Sequence, residues 1–114
     1  MPVITIATIP HAAEHELLQS VADAVADALE LAAGDVIAMS IPVRTTVTSG
    51  ATTDADAKPW ALISIHGSDR GEERTGRACG AARHAAADWS RRQVADGGVD
   101  LEGVWCEWLL PQHP

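Results

Sequence analysis

Three groups of residues in this sequence have types and positions that bear on chemistry. Pro2 follows Met1 directly, at the head of the alternating run MPVITIATIP. A small residue in second place favours removal of the initiator methionine, which leaves a secondary amine as the N-terminus. Such an amine is either incidental to the start of the chain or a general base. Arg70, Arg74, Arg77, Arg83, Arg91 and Arg92 fall within residues 70–92 against three acids, a local charge of +3 in a chain of net charge −8. That stretch is either a solvated helix face or a cationic spot that steers and holds a small anion. His11, Glu14 and His15 spell HAAEH, the H-x-x-E-H pattern of one class of zinc hydrolase. No downstream helix offers an evident third ligand, so the pattern reads as a polar first helical turn and no metal is expected.

The elements that must position these residues follow from periodicity. Val3–Ile9 (VITIATI) is β-branched and alternating, the pattern of a strand. Ala12–Ala33 reads as a helix, with Leu18, Val21, Val25 and Leu29 at helical spacing and Leu17 and Ala22 beside them. Gly34 is its expected C-terminal cap. A second strand is predicted over Val36–Val47, with Pro42 marking an edge or a bulge because it cannot donate to a ladder. Residues 49–59 (SGATTDADAKP) read as a linker. The pattern then restarts. Trp60–His66 (WALISIH) is a third strand, with His66 a structural residue at its end. Asp69 and Glu72 have the spacing of a capping box. A second helix is predicted from Gly71 to Val94, with Ala78, Ala82, Ala85 and Trp89 as its apolar stripe. Gly103–Leu110 (GVWCEWLL) is a fourth strand.

A shift of 58 residues lays Pro2 on Trp60 and superposes the first strands and helix starts of the two halves, the second unit being about ten residues longer near its helix end. The chain therefore reads as one α/β (α+β) domain over 1–114: a β-α-β unit over 1–48, the linker, and a second β-α-β unit over 60–114. Each unit gives a parallel strand pair. Together they make a four-stranded sheet with both helices on one face. The other face is then bare and apolar, and a symmetric oligomer is the economical cover.

Composition narrows the partners. A net charge of −8 argues against nucleic acid. No apolar stretch approaches a membrane span of about 18 residues. No basic region precedes an apolar block at the N-terminus, so a signal peptide is not expected and a cytoplasmic location is. Cys79 and Cys106 lack CxxC spacing and are expected to be reduced, buried thiols. Neither a nucleophile elbow nor a phosphate loop occurs.

Three features together resemble the tautomerase superfamily: the MPVITI start, the two fused β-α-β units, and the stretch KPWALISIHGSDRGEER. The last is similar to the third strand and following turn of macrophage migration inhibitory factor, cis-3-chloroacrylic acid dehalogenase and malonate semialdehyde decarboxylase. The resemblance implies a homotrimer with the bare sheet faces packed inward. It also implies cofactor-free chemistry on a small anionic carboxylic acid. Pro2 would be the base: an α-amine has a reference pKa of about 7.7–8.0, and burial and nearby cations push it down. A neutral amine then takes a proton from the carbon beside a carbonyl and returns it elsewhere, a task for a base with pKa near working pH.

The same resemblance implies roles for other residues. Arg70 stands where members bind the substrate carboxylate, and Arg74 follows on what reads as the same helical face. The backbone amide around Ser68 matches a substrate hydrogen-bond donor. Glu107 falls where members carry a polar Asn or Tyr, and a carboxylate there would serve as a second acid or base or would stabilise the Pro2 ammonium. By period two, Trp105 shares the Glu107 face and would line the pocket or a subunit interface. The chain departs from the dehalogenase, whose first-helix histidine is matched by Leu29. Asp35 nearly matches the decarboxylase aspartate. The activity implied is keto–enol tautomerisation of a 2-oxo or enol acid. Its alternatives are a proline-dependent hydratase, dehalogenase or decarboxylase, and a non-catalytic trimeric binding or signalling protein.

Overall fold

The computed structural model describes residues 1–50, 59–98 and 100–111. Most of the expected linker and the tail beyond Pro111 lie outside the described residues. In chain order the elements are β1 (Val3–Thr8), α1 (Glu14–Ala28), β2 (Ile37–Pro42), β3 (Trp60–His66), α2 (Glu72–Ala95) and β4 (Gly103–Leu109). The alternation read in VITIAT becomes burial alternation. Ile4, Ile6 and Thr8 are buried, while Val3, Thr5 and Ala7 are half-exposed.

The strands form one sheet in the order β2-β1-β3-β4. β1 runs parallel to β2, and β3 runs parallel to β4. The two units meet at the centre through an antiparallel β1–β3 pair, with Val3 opposite His66. Pro42 ends β2, an edge strand, where its missing N–H costs no ladder bond. The strand stops there rather than running to Val47, apart from one further bond from Val43 N–H to the Thr8 carbonyl at 3.0 Å.

Both helices cover the sheet face that carries Ile4, Ile6, Ala61, Ile63 and Ile65. Leu17, Val21 and Val25 face inward from α1, and Ala78, Ala82, Ala86 and Trp89 from α2. Leu18 and Ala85, expected in the stripes, pack against this core half-buried. The alanines let α2 approach closely, and Trp89 fills the space where the helices diverge. Its Nε1–H donates to the Ala13 carbonyl at 3.1 Å, and His11 meets its ring edge-on at 5.3 Å. Arg92 pairs with Glu16 at 3.3 Å. The end of α2 therefore lies beside the start of α1, and the helices are antiparallel.

Two helix ends differ from the sequence reading. α1 stops at Ala28, five residues early, with Leu29 as its C-cap. The Leu31 N–H bonds to the Ala26 carbonyl (2.8 Å) and the Glu30 N–H to the Asp27 carbonyl (3.2 Å), which together make a Schellman motif. Glu30 holds the left-handed position, with φ 56°. Gly34 sits instead in a turn that closes from the Asp35 N–H to the Ala32 carbonyl at 3.1 Å. No capping box forms at α2. Gly71 is the N-cap without a side-chain bond, and Asp69 Oδ1 accepts from the Gly71 N–H at 2.9 Å in an Asx turn.

The second sheet face is open. Across it run the rows Ile37–Val3–His66–Leu109, Met39–Thr5–Ser64–Glu107 and Ile41–Ala7–Leu62–Trp105. Ile37, Met39, Ile41, Trp60, Leu62 and Trp105 are each 45% to 61% exposed. This is the bare apolar face that the sequence requires. Among the described residues no helix is long and apolar enough to cross a membrane.

Candidate active site

One end of the sheet gathers the N-terminal ends of β1 and β2, the C-terminal ends of β3 and β4, and the start of α2. Pro2 stands at the head of β1. It is fully buried, and its carbonyl accepts from the Ile37 N–H at 3.2 Å. Continuing the β1–β3 register by one residue sets Pro2 opposite Gly67. A cavity of about 380 Å³ opens at this end, lined by Met1, His66, Gly67, Ser68, Leu109, Leu110 and Pro111. Met1 is 70% exposed and forms part of its wall.

Gly67 is required here by close approach. Its N–H donates to the Leu109 carbonyl at 3.1 Å, which extends the β3–β4 pairing past His66. A Cβ at this position would stand 2.7 Å from Trp108 Cζ2. The segment from Gly67 to Arg70 then turns into α2.

Arg70 is half-buried and its Nε lies inside the protein without an acceptor. Among the described residues it makes no ion pair, so its charge is available. Arg74 is exposed on the first turn of α2. Arg70 precedes the Gly71 cap and lies outside the helix, so helical spacing does not place the two arginines on one face. Glu72 and Glu73 occupy the first turn, where negative charge suits the positive end of the helix dipole.

Pro2, Arg70 and Ser68 thus belong to one end of the sheet, with Ser68 in the cavity wall and Pro2 and Arg70 outside its lining. Glu107 and Trp105 do not line that cavity. Both are exposed on the open face, while the Pro2 side chain shares the helix-covered face with Ile4. Glu107 is one same-face step from Leu109, which does line the cavity. His66, read as structural, lines it as well. Trp108 and the close approach at Gly67 went unread, because neither has a local signal: both depend on cross-strand register.

Other expectations resolve locally. His11 Nδ1 accepts from the Ala13 N–H at 2.9 Å while His15 is exposed, so the two histidines of HAAEH serve different surroundings. Among the described residues no group of three or more His, Cys, Asp or Glu side chains is placed to hold a metal ion. Asp35 Oδ2 accepts from the Ala32 N–H at 3.2 Å and staples the turn after α1. Cys79 and Cys106 are free, half-buried thiols between α2 and β4. Burial, and then the hydrogen bond with Cys79, raise the Cys106 pKa well above the ordinary thiol range. A second cavity of about 330 Å³ between α2 and β4 is lined by Arg83, Arg91, Asp100 and Glu102 among others, and the opposed charges leave no net preference for an anion.

No family model matches the sequence, and no curated protein matches it. Solved structures do match. A 5-carboxymethyl-2-hydroxymuconate delta-isomerase superposes with TM-score 0.75 at 15% identity, covering 99% of this chain and 84% of that one. The macrophage migration inhibitory factor of Toxoplasma gondii superposes with TM-score 0.65 at 17% identity, covering 96% and 90%. A fused 4-OT described as a symmetric trimer superposes with TM-score 0.62 at 16% identity, covering 98% and 85%. At such identities the likeness is one of fold: two β-α-β units on one mixed sheet.

Proposed function

We propose that this chain, which has the fold of the tautomerase superfamily, is a cofactor-free keto–enol tautomerase of a small 2-oxo or enol carboxylic acid. Pro2, made N-terminal by loss of Met1, is its base. The observation that carries this reading is one juxtaposition. Pro2 is buried directly behind Met1, which lines a cavity, and Arg70, an arginine with no ion pair among the described residues, stands at the same end of the sheet.

The chemistry follows from those two groups. Burial disfavours the ammonium form of the Pro2 amine and keeps a fraction neutral near pH 7. Arg70 holds the substrate carboxylate, which fixes the adjacent carbonyl and its α-carbon near the amine. The amine removes a proton from the α-carbon, the electrons move onto the carbonyl oxygen, and an enolate forms. The Ser68 backbone amide donates to that oxygen as its charge develops. The proton then returns from the Pro2 ammonium to carbon or oxygen, according to direction. Neither metal nor redox cofactor enters these steps.

Glu107 and Trp105 join this site from a second copy. Their open face is apolar and suited to self-association, and in a homotrimer the Glu107 carboxylate of one subunit would be offered to the Pro2 amine of the next. Glu107 would then stabilise the ammonium formed after proton transfer. Arg74, exposed at the cavity end of α2, adds long-range attraction for the anion rather than a contact.

Ultraviolet-monitored ketonisation of phenylenolpyruvate tests this reading. Pro2→Ala is expected to lower kcat about 10²-fold or more. Arg70→Ala is expected to lower kcat/KM about 10- to 100-fold, through loss of a charged hydrogen bond. Equal rates in all three proteins would eliminate the proposed mechanism.

A further inference from the structure

We propose that the indole N–H of Trp108 is a substrate-binding donor of this site, acting with Arg70 on one anionic oxygen group. The proposal rests on the reading of Pro2 and Arg70 above and adds a residue to it.

Trp108 stands on the helix-covered face of β4, in the row Ala38–Ile4–Ile65–Trp108. Its ring leans along the strand onto Gly67. A Cβ at Gly67 would lie 2.7 Å from Cζ2, 3.2 Å from Cη2 and 3.5 Å from Cε2, the atom that carries Nε1. The indole edge that leads to the N–H is therefore held beside Gly67, which itself lines the cavity and faces the Pro2 position, while Trp108 lies behind that lining.

This Nε1 is buried and has no acceptor. Native structures leave few such groups unpaired, and each calls for an explanation. The contrast with Trp89 is direct: that indole is also buried, and its N–H reaches the Ala13 carbonyl at 3.1 Å. Among the described residues, the buried side-chain nitrogen and oxygen atoms without a partner are Trp108 Nε1 and Arg70 Nε. Both are donors, and both belong to the same end of the sheet. They flank the one short segment from Gly67 to Arg70. Two unpaired N–H groups and a guanidinium charge, with no acceptor among the described residues, complement a carboxylate. The bare indole N–H is satisfied when the substrate arrives, and a neutral analogue leaves it unsatisfied, which discriminates strongly against that analogue.

The test uses ¹⁵N-labelled full-length protein carrying Pro2→Ala, titrated with phenylpyruvate and separately with uncharged phenylacetone. Four indole N–H resonances are expected, and Trp108→Phe identifies the relevant one. Phenylpyruvate is expected to move the Trp108 resonance downfield in a saturable way, and phenylacetone to leave it in place. Trp108→Phe keeps an aromatic ring on β4 and deletes the donor together with the outer ring atoms that lie on Gly67. It is expected to weaken phenylpyruvate binding about 10- to 100-fold. Arg70→Gln is expected to weaken it as well and to abolish the Trp108 shift. Three results would each overturn the proposal: no phenylpyruvate binding, a Trp108 resonance unmoved at saturation, or parental affinity in Trp108→Phe together with a higher melting temperature. The last would mark an unpaired core indole or one satisfied by water. Binding does not need the Pro2 base, so a protein inert in ketonisation whose Trp108 resonance shifts would lose the base and keep the donor.

Discussion

Gly67 lies so close to the Trp108 ring that a methyl group there would meet Cζ2 at 2.7 Å. The ring is boxed in by the core, so the clash cannot be relieved by a flexible side chain. Gly67→Ala is therefore expected to cost about 1–3 kcal/mol, read as a lower denaturant midpoint. Cys106 gives a pH signature. Its folded-state pKa is raised, by burial first and by Cys79 second, above its ordinary value of 9.0. A raised thiol pKa leaves stability unchanged below about pH 9, where both states are protonated. Above that pH the unfolded chain ionises first and stability falls. Cys106→Ala is expected to flatten this alkaline decline in chemical denaturation between pH 8 and 11. At this scale Pro2 and Arg70 were singled out by residue type and by a family resemblance, and the fold sets both at one end of the sheet. Trp108 and Gly67 were not, because a ring stacked on a neighbouring strand leaves no trace in either strand's own pattern. The helical spacing of Arg70 and Arg74 misled, since Gly71 starts the helix between them.

Each element is set by its period, and the surprises lie at the ends. The α1 stripe of Leu17, Val21 and Val25 was readable because burial follows a 3.6-residue repeat. Its end was not, since Gly34 looked like the C-terminal cap. The left-handed position is taken by Glu30 instead, with φ 56°. A side chain there costs about 1–2 kcal/mol, against which glycine loses some unfolded-state entropy. Glu30→Gly is expected to gain about 0.5–1 kcal/mol, seen as a melting temperature a few degrees higher. Trp89 ties the helices through one hydrogen bond to Ala13 at 3.1 Å. Replacing it with Phe keeps most of the buried ring and leaves that carbonyl unpaired, so a loss of about 1–2 kcal/mol is expected in denaturant melts.

The whole molecule was legible as two fused units because a 58-residue shift aligns their first strands and helix starts, and a further strand follows each helix. The antiparallel join of β1 to β3 came only from the structure. The open face has the larger consequence. A row such as Ile41–Ala7–Leu62–Trp105 is too apolar for permanent contact with water. Sedimentation is expected to show a trimer, and Leu62→Lys is expected to dissociate it by placing a charge in the row. In the proposed trimer, assembly would also complete the site by bringing Glu107 of one subunit to the Pro2 amine of the next. The dissociated variant is therefore expected to lose activity although Pro2 and Arg70 are intact. All of this turns on the Pro2 nitrogen being the terminal amine. The most direct measurement takes one preparation, determines by intact mass the fraction lacking Met1, and follows phenylenolpyruvate ketonisation across samples in which that fraction varies. The expected result is a rate proportional to the fraction that begins at Pro2. A rate that is the same for protein retaining Met1 would contradict the account.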